Sequence, residues 1–318
     1  MKTRQLGRAG TQISVIGYGA WEAGGGYYGQ NPPDDEMIAA MRAGFDAGVN
    51  WVDTAEAYGA GRSEELVGQA IDGYPDVAVA TKVVMKPFGS GLDAAGIRSG
   101  ADASRRRLGR DTLDLYQLHL PDPSVPVEES WEAMARLVDD GIVRHIGVSN
   151  FPLDLVQRCE ELRHVDTVQL HLSLLYRDDY RDLQAVCEDN GIGVLAYGSL
   201  GFGVLTGTIT RETGFPEDDW RSGGVPVPVP LYEQIFAPGT LERHLATVDA
   251  LRPIAEQKGM TLAQLALAWV VAQPGITAAI AGSRSTARVR ENAAAGSMEL
   301  TGADLDEIDA ALAAVEHV

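Results

Sequence analysis

Cysteine is scarce in this chain of 318 residues, which holds only Cys159 and Cys187, without CxxC spacing. Two thiols cannot build the disulfide framework that stabilises small secreted domains, so that class of protein is excluded. Residues Met1 to Leu6 lack the apolar core of a secretory signal. We therefore expect a protein of the reducing cytoplasm.

Positive charge is also in short supply. The sequence has 26 Lys and Arg against 45 Asp and Glu, a formal net charge of −19. So acidic a chain repels phosphate backbones, and we expect no nucleic-acid partner. No apolar run approaches the roughly 20 residues that cross a bilayer, so no membrane partner is expected either. Nothing in the sequence sets an oligomeric state.

Three common site motifs are missing. The six histidines show neither HxxxH nor HExxH spacing, so no metal site is predicted. Gly24, Gly26 and Gly29 match GxGxxG by letter, but residues 31 to 33 (Asn-Pro-Pro) precede the next helix, which excludes a Rossmann turn. The glycine before Ser199 is one place off a nucleophile elbow, so a hydrolase is unsupported.

What the sequence does contain is a regular alternation of β-type runs and helical segments, in a chain that is 45% hydrophobic. The runs cover residues 15–19, 50–53, 77–81, 113–118, 145–149, 167–170, 193–197 and 277–281. Strands that alternate with helices predict a parallel sheet. Eight such units favour a single α/β domain over residues 1–318, a closed (β/α)₈ TIM barrel rather than an open sheet.

Three further features complete the predicted architecture. Thr3 to Ser14 is predicted to be an N-terminal hairpin that caps the barrel, and residues 304–315 a C-terminal helix. Residues 24–29 follow the first run, and the long segment 206–240, rich in Gly, Pro and aromatics, follows the seventh. Loops after barrel strands lie on the catalytic face, so both are predicted to border a site, with functionless surface insertion as the alternative.

Ionisable side chains follow the second, third and fourth runs. They are Asp53 and Tyr58, Lys82, and His119. A lysine buried beside an aspartate must be matched in a low-dielectric site, and its charge is predicted to lower the pKa of the Tyr58 phenol. The phenol would then be a better proton donor near neutral pH, and His119 could donate a hydrogen bond to a substrate oxygen.

Taken in order, the motifs of this chain resemble those of the aldo-keto reductase superfamily from about Arg4 to about Ala294. The matching motifs are Asp53-Thr54-Ala55 with Tyr58-Gly59, Thr81-Lys82, Leu118-His119 with Pro121-Asp122-Pro123, Gly141-Ile142-Val143-Arg144, Gly147-Val148-Ser149-Asn150-Phe151, Val168-Gln169, Gly203-Val204-Leu205-Thr206-Gly207, residues 215–221, and Gly282-Ser283-Arg284 with Glu291-Asn292. Each motif alone is modestly specific, but their order and spacing together are strongly so.

The resemblance implies an NADP-dependent aldo-keto reductase, of the carbonyl reductase or alcohol dehydrogenase type. Such an enzyme reduces an aldehyde or ketone, a small-molecule carbonyl substrate, to an alcohol by hydride transfer. The family's catalytic tetrad falls on Asp53, Tyr58, Lys82 and His119, with Tyr58 as the general acid. Trp21, Tyr27 and Trp220 are predicted to line the substrate pocket, with ordinary packing as the alternative.

The resemblance also implies a nicotinamide cofactor bound without a Rossmann fold. Its predicted binding residues are Ser149, Asn150, Gln169, Tyr197, Ser199, Leu200, Gly201, Gly203, Leu205, Ser283, Arg284, Arg288, Glu291 and Asn292. Two of them, Arg284 and Arg288, could clamp a 2′-phosphate, which favours NADPH over NADH. His171 departs from the family pattern and is predicted to be a packed, hydrogen-bonded histidine.

Two other functions stay open from the sequence. One is a barrel lyase or isomerase in which Lys82 forms a Schiff base with the substrate. Such an enzyme would not need Tyr58, Asn150 and Gln169. The other is a cofactor-binding regulatory subunit, which the complete tetrad disfavours.

Overall fold

A computed structural model describes residues 1–8, 10–30, 32–227 and 229–316 of the chain. The strands are β1 (Thr3–Gln5), β2 (Gln12–Ser14), β3 (Ile16–Gly19), β4 (Trp51–Asp53), β5 (Ala78–Val83), β6 (Leu113–Leu118), β7 (Val143–Ser149), β8 (Thr167–His171), β9 (Gly193–Tyr197) and β10 (Ile276–Ala281). Strands β3 to β10 pair in parallel in chain order, and β10 pairs with β3 to close a barrel. The predicted TIM barrel is confirmed.

Helices connect the barrel strands and surround them. They are α1 (Asp34–Asp46), α2 (Arg62–Ala70), α3 (Ala94–Leu108), α4 (Val127–Asp139), α5 (Leu153–Leu162), α6 (Asp178–Asn190), α7 (Pro230–Ile235), α8 (Thr240–Gln257), α9 (Leu262–Ala272), α10 (Thr286–Ala295) and α11 (Gly302–Glu316). Local chemistry sets several ends. Asp93 caps α3 by accepting the Gly96 N–H at 2.8 Å, and Gly191 takes a φ of 62° where α6 ends.

The N-terminal hairpin closes the bottom of the barrel, as predicted. Strands β1 and β2 pair antiparallel, and the Arg4 guanidinium donates to the backbone oxygens of Val271 and Ile276, beside the start of β10. Leu6 and Ile13 of the hairpin pack with Trp51 into the lower interior of the barrel. With that end filled, the barrel interior opens at the opposite mouth, the face that carries the active site in TIM barrels.

The segment 206–240 is less irregular than its composition predicts. It contains a 3-10 helix at Trp220–Ser222 and the short helix α7, whose Tyr232 is 8% exposed. Burial of aromatic rings drives this ordering, which a local reading of a Gly- and Pro-rich sequence misses. Two residues of these regions lie outside the described part of the chain: Pro228 of the segment 206–240, and Asn31 of the Asn-Pro-Pro stretch before α1.

The C-terminal helix α11 packs along α8 on the outside of the barrel. Its Ile308 is completely buried, and Asp304 forms an ion pair with Lys258. Among the described residues, none after Asn292 borders the cavity at the mouth of the barrel. No helix in the described part of the chain is long and apolar enough to cross a membrane.

Candidate active site

The loops at the carboxyl ends of the barrel strands enclose a cavity of about 1220 Å³. Its lining comes from strands β3, β4, β7, β8, β9 and β10 and from the loops that follow β3, β4, β5, β6, β7, β9 and β10. A cavity for one drug-sized ligand usually measures about 300–1,000 Å³, so this one has room for a cofactor and a substrate together. In TIM barrels this face carries the active site.

A buried ion pair lies under one wall of the cavity. Lys82 at the end of β5 is fully buried, and its Nζ donates to Asp53 Oδ1 at 2.6 Å and to the Thr54 carbonyl at 2.9 Å. The third contact of Nζ is the Tyr58 hydroxyl at 3.4 Å, and Tyr58 itself borders the cavity. The His119 ring lies 5.5 Å from the Tyr58 ring. The four predicted catalytic residues thus meet at one place.

Burial governs the ionisation of these groups. It raises the pKa of Tyr58 well above the ordinary 10.0, and the Asp53 carboxylate adds to the rise. In the site that the chain builds by itself, the net shift of this pKa is therefore upward, opposite to the lowering predicted from the Lys82 charge, because burial is its largest cause. Burial also lowers the pKa of Lys82, which the Asp53 carboxylate opposes.

The pKa of His119 lies well below its ordinary 6.5, through burial first and the Lys82 cation second. At neutral pH this imidazole is therefore uncharged, while the Tyr58 phenol keeps its proton. In these protonation states the phenol has a proton to give, and the imidazole can form hydrogen bonds as a neutral group.

Polar side chains of β7 and β8 border the cavity next to the ion pair. Gln169 donates its amide N–H to Asp53 Oδ2 at 2.7 Å, and no described residue donates to its amide oxygen. Asn150 donates to the His119 carbonyl and to Ser149 Oγ, each at 3.0 Å, and accepts the Tyr197 hydroxyl at 2.6 Å. This network leaves the Gln169 amide oxygen and the Ser149 O–H to face a ligand.

Behind Tyr197 the rings of three residues form a stack. The His171 ring lies 5.4 Å from that of Tyr197 and 4.8 Å from that of Tyr176, both at an interplanar angle of 15°. Neither ring nitrogen of His171 has a hydrogen-bond partner among the described residues, so the predicted packing is found but the predicted hydrogen bond is not. Burial lowers the pKa of His171 to about 3.

At the β10 end of the cavity the two predicted arginines differ. Arg284 is engaged by the loop after β3, through Glu22 Oε2 at 3.1 Å and the Gln30 carbonyl at 2.8 Å. Arg288 is exposed and forms no ion pair with any described residue. Ser283, Glu291 and Asn292 border the cavity beside them. Of these two arginines, Arg288 is the one whose guanidinium has no partner among the described residues.

Some residues of the loop after β9 line the cavity, and others lie beneath it and support the loop. Ser199, Leu200 and Gly203 border the cavity, whereas Gly201 and Leu205 lie beneath it. Phe202 also borders the cavity and takes a φ of 52°, a left-handed conformation uncommon for a residue with a side chain. The sequence offered no periodic signal for this ring.

An aromatic cluster forms the wall that faces Tyr58. Trp21 and Tyr27 border the cavity, and the Trp21 ring lies 6.4 Å from that of Tyr58. Trp220, predicted to be a pocket wall, is 1% exposed and lies behind Trp21 with its ring 6.1 Å away. Tyr232 of α7 completes the wall, and its place inside the Gly- and Pro-rich segment concealed it from sequence reasoning.

Metal-binding chemistry has no support in the residues that the structure describes. Among them, no group of three or more His, Cys, Asp or Glu side chains is placed to hold a metal ion. The candidate chemistry of the cavity therefore rests on the phenol, the ion pair and the amide network.

The sequence and the structure of this chain were each compared with known proteins, and both comparisons identify the same family. A model of the aldo/keto reductase family matches residues 15–313. Aldo-keto reductase YhdN of Bacillus subtilis (strain 168) is 34% identical over 317 residues, which cover 97% of this chain and 91% of that relative.

Two solved structures are similar over nearly the whole chain. The glycerol dehydrogenase AKR11B4 from Gluconobacter oxydans matches with a TM-score of 0.87 and 33% identity, over 98% of this chain and 95% of its own. An aldo/keto reductase from Klebsiella pneumoniae, solved with NADP and acetate, matches with a TM-score of 0.74 and 32% identity over the same shares. The chain therefore belongs to the aldo/keto reductase family of oxidoreductases.

Proposed function

We propose that this protein uses NADPH to reduce an aldehyde or ketone to an alcohol, with Tyr58 as the general acid. The observation that carries the proposal is the contact of a fully buried Lys82 ammonium with the Tyr58 hydroxyl at 3.4 Å, on the wall of a cavity with room for two ligands. The Klebsiella relative's NADP complex supports the choice of cofactor.

The residues around the cavity suit a nicotinamide dinucleotide. The Gln169 amide oxygen and the Ser149 O–H offer an acceptor and a donor, which a carboxamide needs. Tyr197, held by Asn150 at 2.6 Å, offers a ring face, and Arg288 offers a free guanidinium for a phosphate. The chemistry that the cofactor supplies when bound is a hydride for the carbonyl carbon.

The remaining steps belong to the chain's own side chains. His119, uncharged at neutral pH, donates a hydrogen bond that orients the carbonyl oxygen. Tyr58 then gives its proton to that oxygen as negative charge develops on it. The Lys82 ammonium, held by Asp53 at 2.6 Å, stabilises the phenolate that remains. The Trp21 and Tyr27 rings exclude water from the reacting atoms.

The geometry disfavours a Schiff base on Lys82. An amine nucleophile must be neutral and must reach the substrate, whereas this Nζ is fully buried and engaged by three oxygen atoms. An ammonium has three N–H donors, so the contacts with Asp53, Thr54 and Tyr58 use all of them.

Removal of the Tyr58 hydroxyl tests the mechanism. Tyr58→Phe is expected to lower kcat for NADPH-dependent reduction of butanal by about 10²–10⁴-fold, because it removes the proton donor and leaves the ring. The Kd for NADPH, measured by quenching of tryptophan fluorescence, should stay within about twofold, since the residues proposed to hold the cofactor are intact. Tyr74→Phe, the same change at a hydroxyl that bonds Asp46 far from the cavity, is the matched control. Native turnover by Tyr58→Phe would refute the assignment.

A further inference from the structure

One apolar ring is left in water at the mouth of the cavity. Among the described residues, three large hydrophobic side chains are exposed: Phe88 at 66%, Leu153 at 37% and Leu162 at 47%. Only Phe88, the most exposed of them, borders the cavity. A single exposed apolar ring is ordinary on a protein surface, but at the rim of a cavity it offers apolar surface that a ligand can cover.

The loop that carries Phe88 is pinned to the strand end that carries Tyr58. The buried Glu56 carboxylate accepts the Val84 N–H at 3.0 Å, the Ser90 N–H at 2.9 Å and the Ser90 hydroxyl at 2.7 Å. A bond from the Gly91 N–H to the Val84 carbonyl closes the loop at 3.0 Å. A carboxylate with three donors holds this loop in one place, so Phe88 has a defined position at the rim.

The rim lies on the side of the barrel that the proposed cofactor site leaves open. The loops after β4, β5 and β6 are neighbours in the barrel, whereas Tyr197 ends β9 and Arg288 follows β10 on the opposite side. A cofactor held from Ser149 to Arg288 therefore leaves the β4–β6 side to the substrate.

The β4–β6 side of the cavity is lined by uncharged side chains except for Asp53, whose carboxylate is paired with the Lys82 ammonium beneath the wall. Met85, Phe88 and Leu120 form the rim, with Ala57 and Val84 below them and an uncharged His119 beside Tyr58. The cations that border the cavity, Arg221, Arg284 and Arg288, follow β9 and β10. The Lys82 ammonium is already held by Asp53, and the exposed Lys86 of the loop lies off the cavity lining, 3.9 Å from Asp93. A carboxylate or phosphate on the substrate would therefore find no free counter-charge on this side and would lose its hydration.

We propose that the loop from Val84 to Gly91 is the outer wall of the substrate site and selects uncharged carbonyl compounds with an apolar tail. Phe88 determines the specificity by covering the tail, and Glu56 is a positioning residue that acts through the loop. This inference rests on the proposed carbonyl reduction and adds the class of substrate to it.

The test compares three aldehydes at saturating NADPH: butanal, 3-phenylpropanal and succinic semialdehyde. The wild type should show its highest kcat/KM with 3-phenylpropanal and its lowest with succinic semialdehyde. Phe88→Ala is expected to lower kcat/KM for 3-phenylpropanal about tenfold, mainly through KM, and to leave butanal within about twofold. Phe88→Leu should recover most of the loss, and Leu162→Ala, exposed away from the cavity, should change neither.

Glu56→Gln tests the positioning role. It should reduce the preference for 3-phenylpropanal over butanal through KM while the Kd for NADPH stays unchanged, which mere loss of folded protein would not do. A preference that survives both Phe88→Ala and Glu56→Gln, or a wild type that prefers succinic semialdehyde, overturns this inference and leaves carbonyl reduction standing. A wild type that reduces none of the three aldehydes refutes the proposed function and this inference together.

Discussion

At the scale of single residues, two nearby arginines with the same predicted role differ in the partners that they bind in the structure. Arg284 and Arg288 stand four residues apart in the sequence and both border the cavity, and both are predicted to bind a 2′-phosphate. In the structure the Arg284 guanidinium already pairs with Glu22 and donates to the Gln30 carbonyl, whereas Arg288 forms no ion pair with a carboxylate of the described residues. We therefore expect Arg288 to be the better phosphate ligand of the two, because binding there displaces no existing partner.

This difference predicts how two alanine variants discriminate between cofactors. Arg288→Ala should raise the Kd for NADPH about 10- to 100-fold more than the Kd for NADH, the usual worth of a charge-assisted hydrogen bond. Arg284→Ala should raise both by a similar factor, because it loosens the loop after β3 without removing a phosphate ligand. Fluorescence titration with each cofactor measures both effects. Equal weakening by Arg288→Ala would remove the 2′-phosphate assignment.

At the scale of elements, two loops far apart in sequence hold each other over the cavity. The Trp220 N–H donates to the Tyr27 carbonyl at 2.8 Å, and the Gly29 N–H donates to the Asp218 carbonyl at 3.2 Å. Asp219, 2% exposed, accepts the Arg221 guanidinium at 2.9 and 2.6 Å. The match of residues 215–221 to the family thus has a structural basis in the contact between these loops.

Asp219→Asn is a small chemical change, but it should lower the free energy of unfolding considerably. It leaves the partly buried Arg221 without its counter-charge, and breaking a buried ion pair costs about 3–5 kcal/mol. The free energy of unfolding in urea should fall by about 3 kcal/mol. Asp218→Asn makes the same substitution at an exposed neighbour and should stay within about 0.5 kcal/mol of the wild type. Equal stabilities of the two variants would contradict this account of the loop contact.

At the scale of the whole molecule, buried neutral histidines make stability depend on pH. His171 has a pKa of about 3 in the folded protein, against about 6.5 when exposed. Between these two values the unfolded chain binds a proton at this residue and the folded chain does not. Stability therefore falls as the pH drops from 6.5 towards 3, and is unaffected by this group above about pH 7.

Replacing that histidine should flatten the acid side of the stability curve. His171 accounts for a loss of about 2 kcal/mol between pH 7 and pH 5, from the Wyman relation between pKa shift and stability. In His171→Phe, which keeps an aromatic ring between Tyr176 and Tyr197, the loss over this interval should be smaller by that amount. Urea unfolding at the two pH values gives the difference. An unchanged slope would mean that His171 is not buried in its neutral form.

The barrel could be predicted because its signals are local. Apolar runs of strand length, helix caps such as Thr261 with Gln264, and turn glycines are each set within a few residues of chain. The meeting of Asp53, Tyr58, Lys82 and His119 could be predicted as well. All four lie at or just after strand ends, and the strand ends of a barrel converge on one face. The place of α7 could not be, because its Tyr232 is ordered by Trp220 and Phe202, which lie elsewhere in the sequence.

By itself the sequence determined the barrel, the hairpin at its closed end and the meeting of Asp53, Tyr58, Lys82 and His119. Periodicity and strand order dictate these, and neither depends on how side chains finally pack. Only the tertiary structure decided that burial raises the pKa of Tyr58 and that Phe88 stays exposed at the rim. The desolvation and the exposure of a side chain depend on all the residues that surround it in the folded protein. These come from distant parts of the chain, so no local sequence pattern predicts them.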